Sequence, residues 1–136
     1  MAKAGSFHCS VITPERTVLD CDATFAAFPA HDGEMGVLTN RAPLICKLGI
    51  GALRVETGER THRLFIDGGF AQVVGNKLTI LTEQAQKAED IDAAAANQAM
   101  VEARAMKAAT EESVAARRNA LQRAQVQLKL VKSATS

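Results

Sequence analysis

The sequence predicts an all-β N-terminal domain, an antiparallel β-sandwich, followed by a C-terminal antiparallel α-helical hairpin. Two observations carry that expectation. From Phe7 to Thr82 the pattern is short, β-branched and of period two, broken every eight to twelve residues or so by turn residues, as in sandwiches and barrels. Residues 91 to 126 then contain thirteen alanines and neither glycine nor proline, and alanine has the highest helix propensity. The expected boundaries are residues 1–86 for the sandwich and 87–136 for the hairpin, with helices over about 91–109 and 114–132.

The strands are expected in chain order as follows. FHCSVIT alternates Phe7, Cys9 and Val11 against His8, Ser10 and Ile12, and Pro14 stops it because proline cannot donate to a ladder. VLDCDATFAAF reads as a second strand ending at Pro29. GALRVETGERTHRLFI reads as two strands around Thr57-Gly58, and FAQVVGNKLTILT as two more around Gly75-Asn76, a dipeptide suited to the positive φ of a tight hairpin. All of this is expected to be antiparallel, ending near Gln84. With no Trp or Tyr, the core rests on Val, Ile, Leu and five Phe between two sheet faces.

For the helices, Asp90 is the expected N-cap, Asp92 suits the first-turn dipole, and Thr110 to Ser113 is where the chain is expected to turn. Ile91, Ala94, Ala95, Gln98, Val101, Ala105 and Ala108 fall on one face of the first helix. Leu121, Ala124, Leu128 and Val131 share a face of the second. Alanine offers little area at roughly 25 cal/mol per Å², so the hairpin is expected to hold its helical shape by propensity and to dock weakly.

The whole-chain charge of +1 hides a split: residues 1–90 hold 9 bases and 11 acids, net −2, whereas 91–136 hold 7 bases and 4 acids, net +3. The last 24 residues carry Arg117, Arg118, Arg123, Lys129 and Lys132 and no acidic side chain. A charged partner is therefore expected for the tail alone, and bulk affinity for nucleic acid or membrane is disfavoured. Cys9, Cys21 and Cys46 are odd in number and widely spaced, which suggests reduced, buried thiols and neither a disulfide frame nor a metal site. The first twenty residues lack an apolar h-region and carry acids, so no targeting peptide is expected. No apolar run approaches the roughly 20 residues that cross a bilayer, so no direct membrane insertion is expected.

Gly33-Glu34-Met35-Gly36-Val37-Leu38, Ala42-Pro43-Leu44-Ile45, LFIDGGFAQVVGNKLTIL and Ile91-Asp92 together resemble, in order along the chain, the epsilon subunit of F-type ATP synthases. That resemblance implies a non-catalytic rotor subunit of a proton- or sodium-driven ATP synthase, coupling the membrane c-ring and the gamma shaft to the catalytic head. It implies no cofactor, and a peripheral location on the cytoplasmic side of a bacterial or plastid-like membrane. By position it places Glu34, Asn40 and Arg41 against the c-ring. Thr39 and Arg41 depart from the family's usual Pro and His, so the contact at Arg41 is expected to be insensitive to pH.

The resemblance also implies that the hairpin can extend and brake ATP hydrolysis by reaching an acidic segment of the catalytic beta subunit, with Arg117, Arg118, Arg123 and Lys129 as the contact residues. Arg118, Gln122 and Lys129 share one flank, Arg123 lies on the far side, and Arg117 falls on the apolar stripe, where it is expected to snorkel. Some family members bind ATP at this hairpin. Here the motif is degenerate: Ile91 and Asp92 are present, but Ala95 and Gln127 stand where arginines would be, and only Arg123 is retained. No tight nucleotide site is expected.

Two rival functions fit the residues less well. An enzyme built on His31-Asp32-Gly33-Glu34 is poorly supported, because adjacent strand residues point to opposite faces and no second cluster completes a site. His8 and His62 read as isolated strand-surface residues. A basic-helix nucleic-acid or protein-binding module lacks aromatic platforms in the tail, since all five Phe lie in the sandwich half.

Overall fold

In the computed structural model, which describes residues 5–30, 33–37 and 43–135, the chain divides into two units, Met1–Lys87 and Ala88–Ser136. The first holds eight strands: β1 (Phe7–Ile12), β2 (Thr17–Ala23), β3 (Phe25–Ala30), β4 (Gly33–Val37), β5 (Leu44–Glu56), β6 (Thr61–Val74), β7 (Lys77–Leu81) and β8 (Ala85–Lys87). They form one hydrogen-bonded sheet in the order β2-β1-β7-β6-β5-β3-β4, with β8 added to β6.

This sheet becomes a two-layered sandwich because β5 and β6 are long enough to serve both layers. The C-terminal part of β6 pairs with β7 over Phe70–Val74, while its N-terminal part pairs with β8 over Leu64–Ile66. Between them Gly68 (φ +71°) and Gly69 (φ +105°) supply the corner. Only glycine adopts such angles freely. Phe7, Cys9 and Val11 of β1 thereby share one core with Phe28 of β3, Val37 of β4, Leu53 of β5, Ile66 of β6 and Ile80 of β7.

Three strand expectations need correction. VLDCDATFAAF is two strands: at Thr24 the backbone N–H and the side-chain hydroxyl both donate to the Glu56 carbonyl (2.7 and 3.1 Å), and the chain crosses from pairing with β1 to pairing with β5. Pro29 lies inside β3 instead of ending it. The sandwich is also not purely antiparallel, because β1 pairs with β7 in parallel from His8↔Lys77 to Ile12↔Leu81. A local period-two pattern is blind to strand direction. The Gly75-Asn76 turn joins β6 to β7, with φ +60° at Gly75.

The second unit opens with a 3-10 turn (Ala88–Asp90), followed by α1 (Ala93–Ala105) and α2 (Glu111–Thr135). Asp92, not Asp90, caps α1, its carboxylate accepting the N–H groups of Ala94 (2.9 Å) and Ala95 (3.3 Å). Asp90 cannot serve because it belongs to the 3-10 turn. Asp92→Ala is expected to cost about 1 kcal/mol of helix stability, measured as a lower thermal midpoint of the far-UV circular dichroism signal; an unchanged midpoint would remove the cap from the account.

The first helix stops four residues before the expected end, since Met106 is extended (ψ 135°) and α2 has its own start signal. Thr110 Oγ1 accepts the Ser113 N–H (3.1 Å) and Ser113 Oγ accepts the Thr110 N–H (2.8 Å), a reciprocal cap of the capping-box kind. Residues 110–113 therefore begin α2, and the turn precedes them. The buried face of α1 is Ala96, Met100 and Ala103, while Val101 is 59% exposed, so the expected face was rotated. A helix with alanine on every side gives little periodic contrast from which to choose a face. On α2, Ala124 and Leu130 are buried, whereas Leu121, Leu128 and Val131 are half-buried.

Candidate functional site

The helical unit carries the strongest charge feature. On α2, residues Arg118, Gln122, Gln125, Lys129 and Lys132 are all exposed at the spacing of one helix face. Arg118 and Lys129 are eleven residues apart, roughly 16 Å along the axis. Neither has a carboxylate within ion-pair distance among the described residues. Arg123 is half-buried, on another side of the helix. The row gives this face of α2 a positive potential.

Arg117 does something else. Its Nη2 approaches the Arg104 carbonyl at 3.5 Å, placing a cation at the last turn of α1, where unpaired carbonyls and the negative end of the helix dipole lie. Beside it an open groove of about 520 Å³ is lined by Ala108, Val114, Arg117, Arg118 and Leu121 among others. The groove thus sets apolar side chains beside two guanidinium groups.

The degenerate nucleotide motif is accounted for locally. Asp92 is committed to its cap, Ala95 is exposed, and Ile91 is half-buried. None of these supplies a cation.

On the sandwich, Glu34 lies on β4 opposite Pro29 and is exposed. This stretch is a strand through Val37. Gly36 allows close approach there: a Cβ would lie 3.1 Å from the Phe25 ring, over which the Arg54 guanidinium sits at 5.3 Å, and would push that ring by a few tenths of an ångström. Asn40 and Arg41, like His31 and Asp32 of the enzyme rival, lie outside the described residues.

His8 is not isolated. On β1 it stands opposite Asp22, and its ring reaches both neighbouring carboxylates of β2: Nε2 contacts Asp20, and Nδ1 lies 3.1 Å from Asp22. Ser10 Oγ also donates to Asp20 (3.4 Å). The signal was present as H-x-S and D-x-D on two strands but needed the cross-strand register to be seen. With a carboxylate on each side, His8 acts as a clip between strands. Among the described residues no group of three or more His, Cys, Asp or Glu is arranged to hold a metal ion.

Residues 6–88 match the family model described as "ATP synthase, Delta/Epsilon chain, beta-sandwich domain". The "ATP synthase epsilon chain" of Rhodopirellula baltica is 43% identical over 124 residues, which cover 91% of this chain and 97% of that relative. The chain belongs to the ATP synthase epsilon-chain family. An epsilon chain of Nitratidesulfovibrio vulgaris is 38% identical over 127 residues, 92% of this chain and 95% of its own.

Among solved structures, a chain of the Euglena gracilis mitochondrial ATP synthase, in a structure containing its c-ring, superposes with TM-score 0.79 at 25% identity. The match covers 97% of this chain and 82% of that one. A central-stalk and c-ring structure of the Tetrahymena thermophila enzyme shares the fold at TM-score 0.69 and 15% identity, with full coverage of both chains. Membership in the epsilon-chain family therefore extends through the helical unit. The alternative, a basic-helix binding module unrelated to ATP synthase, finds no support in these similarities. No helix among the described residues is long and apolar enough to cross a membrane.

Proposed function

We propose that this epsilon chain is a non-catalytic rotor subunit whose sandwich couples the gamma shaft to the c-ring and whose helical hairpin brakes ATP hydrolysis. It acts as a peripheral component on the cytoplasmic side of the membrane. The observation that supports this most directly is the end-to-end match to epsilon chains, helices included, combined with unpaired Arg118 and Lys129 on an exposed face of α2. Glu34, Asn40 and Arg41 serve the c-ring contact. Arg118, Arg123 and Lys129 meet an acidic segment of the catalytic beta subunit when the hairpin extends. Arg117 contributes less to that contact, because its guanidinium already sits at the end of α1.

The test is co-purification with gamma and with the c-ring, followed by ATPase assay of the assembled complex with and without residues 91–136. Removal of the helices is expected to leave assembly intact and raise hydrolysis several-fold. Unchanged hydrolysis would refute the brake, and failure of the full chain to co-purify would refute the rotor assignment.

Exposed ion pairs contribute about 0 to 1 kcal/mol each, so at about 0.5 kcal/mol apiece the triple change Arg118→Ala, Arg123→Ala and Lys129→Ala is expected to relieve inhibition by about tenfold. Raising the salt on the unmodified complex should mimic it, because screening acts on the same pairs. If neither treatment changes the rate, the row of cations is a solubilising face. Separately, Arg41→Glu is expected to abolish capture of the c-ring in a pull-down, and persistent capture would remove Arg41 from that interface.

A further inference from the structure

The β1–β2 ladder sets Cys9 directly opposite Cys21. Opposed residues of an antiparallel pair have Cα atoms about 4.5 or 5.5 Å apart, and both values fall inside the roughly 4.4–6.8 Å that a disulfide spans. Opposed residues also share a sheet face, here the inner one. Cys9 is fully buried in the core, and Cys21 packs against that core while remaining partly exposed. Both are free thiols. Cys46 has no such counterpart, since it stands opposite Ala71.

The thiols are close enough to influence one another. Burial pushes Cys9 up to about 12, with Cys21 and then Asp20 adding to the effect. Burial likewise raises Cys21, followed by the carboxylates of Asp20 and Asp22 on either side of it in β2. The other ionisable groups around the pair are His8, which bridges those two carboxylates, Lys77 beside His8 in the β1–β7 register, and Lys87 on β8, which packs against β2.

We propose that Cys9 and Cys21 form a reversible cross-strand disulfide that staples the edge strand β2 to β1, made by thiol–disulfide exchange with a small neutral or cationic disulfide. Cys21 reaches solvent and is the attacking group. Its thiolate bonds to one sulfur of the oxidant, the oxidant's S–S bond breaks, and the departing half leaves with the electron pair and takes up a proton. Cys9 then gives its proton to solvent and attacks the Cys21 sulfur, expelling the second half as a thiol. In sum the two cysteines lose two electrons and two protons, and the oxidant gains them.

Three properties follow. The exchange is slow at neutral pH and accelerates roughly tenfold per pH unit, because only the thiolate reacts and both thiols lie above their usual range. Anionic oxidants are disfavoured, because the carboxylates of Asp20 and Asp22, next to Cys21 in β2, already act on its thiol electrostatically. The bridge is easily reduced, because opposed Cβ atoms stand about 4.5–5.5 Å apart and must close to about 3.8 Å.

The experiment exposes the intact chain separately to cystamine, a dication, and to oxidised glutathione, a net anion. Free thiols are then alkylated and tryptic peptides mapped by mass spectrometry. Arg16 lies between the two cysteines, so the bridge appears as two joined peptides. The expected result is a Cys9–Cys21 link with Cys46 alkylated, reversal by dithiothreitol, and a rise in melting temperature of about 5 °C or more. Cystamine should outpace oxidised glutathione several-fold at low salt, with the ratio falling as salt rises, and Cys9→Ala should stop at the Cys21 mixed disulfide. Full alkylation of both cysteines, a mixed disulfide on Cys21 that persists in the unsubstituted chain, or a link through Cys46 overturns the staple. Equal rates for the two oxidants at low salt overturn the charge-selective entrance.

Discussion

Gly69→Ala is expected to remove more than about 4 kcal/mol of the sandwich's stability, enough to leave little folded protein. A Cβ at this position would stand 1.9 Å from the Leu81 carbonyl oxygen and 2.8 Å from the Thr82 Cα, both backbone atoms of the neighbouring strand and its exit. No rotamer change relieves such a clash. The residue is also held at φ +105°, outside the range an L side chain adopts comfortably. Domains of this size hold about 5 to 15 kcal/mol in all, so the variant should unfold at much lower urea or accumulate as aggregate. Gly58→Ala is the control, because its Cβ meets nothing within 4 Å. If urea midpoints for the two variants coincide, β6 does not turn its corner as tightly as described.

Phe28→Ala is expected to cost about 3 to 5 kcal/mol, the transfer energy of a phenyl ring plus the cavity left behind. Phe28 is fully buried in the shared core and stands opposite Met35 in the β3–β4 ladder. The denaturation midpoint should fall with little change in slope, since the surface exposed on unfolding is nearly the same. A comparable truncation in the helical unit, Val101→Ala, should stay within about 0.5 kcal/mol or even stabilise, because the side chain is 59% exposed and alanine is the better helix former. A large loss at Val101 would restore the helix face that the sequence pattern suggested.

Residue order reveals local features and hides those that depend on distant partners. Strands with alternating Phe7, Cys9 and Val11, or turns at Thr57-Gly58 and Gly75-Asn76, are local events, and local chemistry determines them. The parallel partnership of β1 with β7 and the break at Thr24 depend on where distant strands lie, and Thr24 is anchored by a carbonyl 32 residues away. The face of α1 was obscured for the opposite reason: alanine at so many positions removes the contrast that marks a buried side. The cap moved from Asp90 to Asp92 because both are good caps, and the 3-10 turn decides between them.

At the candidate site the exposed row through Arg118 and Lys129 was legible, since helix spacing alone defines it. The reach of Arg117 to the Arg104 carbonyl was not, because it requires knowing where α1 ends. The His8 clip and the Cys9–Cys21 opposition share that limit. Each joins ordinary residues more than ten positions apart, made into a unit only by strand register.

Because β5 and β6 run unbroken through both layers, paired with each other from one end to the other, the sandwich is riveted by main-chain bonds as well as by side-chain packing. A sideways load on one layer must shear this long ladder before the layers can slide, so many bonds resist together and none can be peeled singly. A mechanical part of this build is stiff along its length.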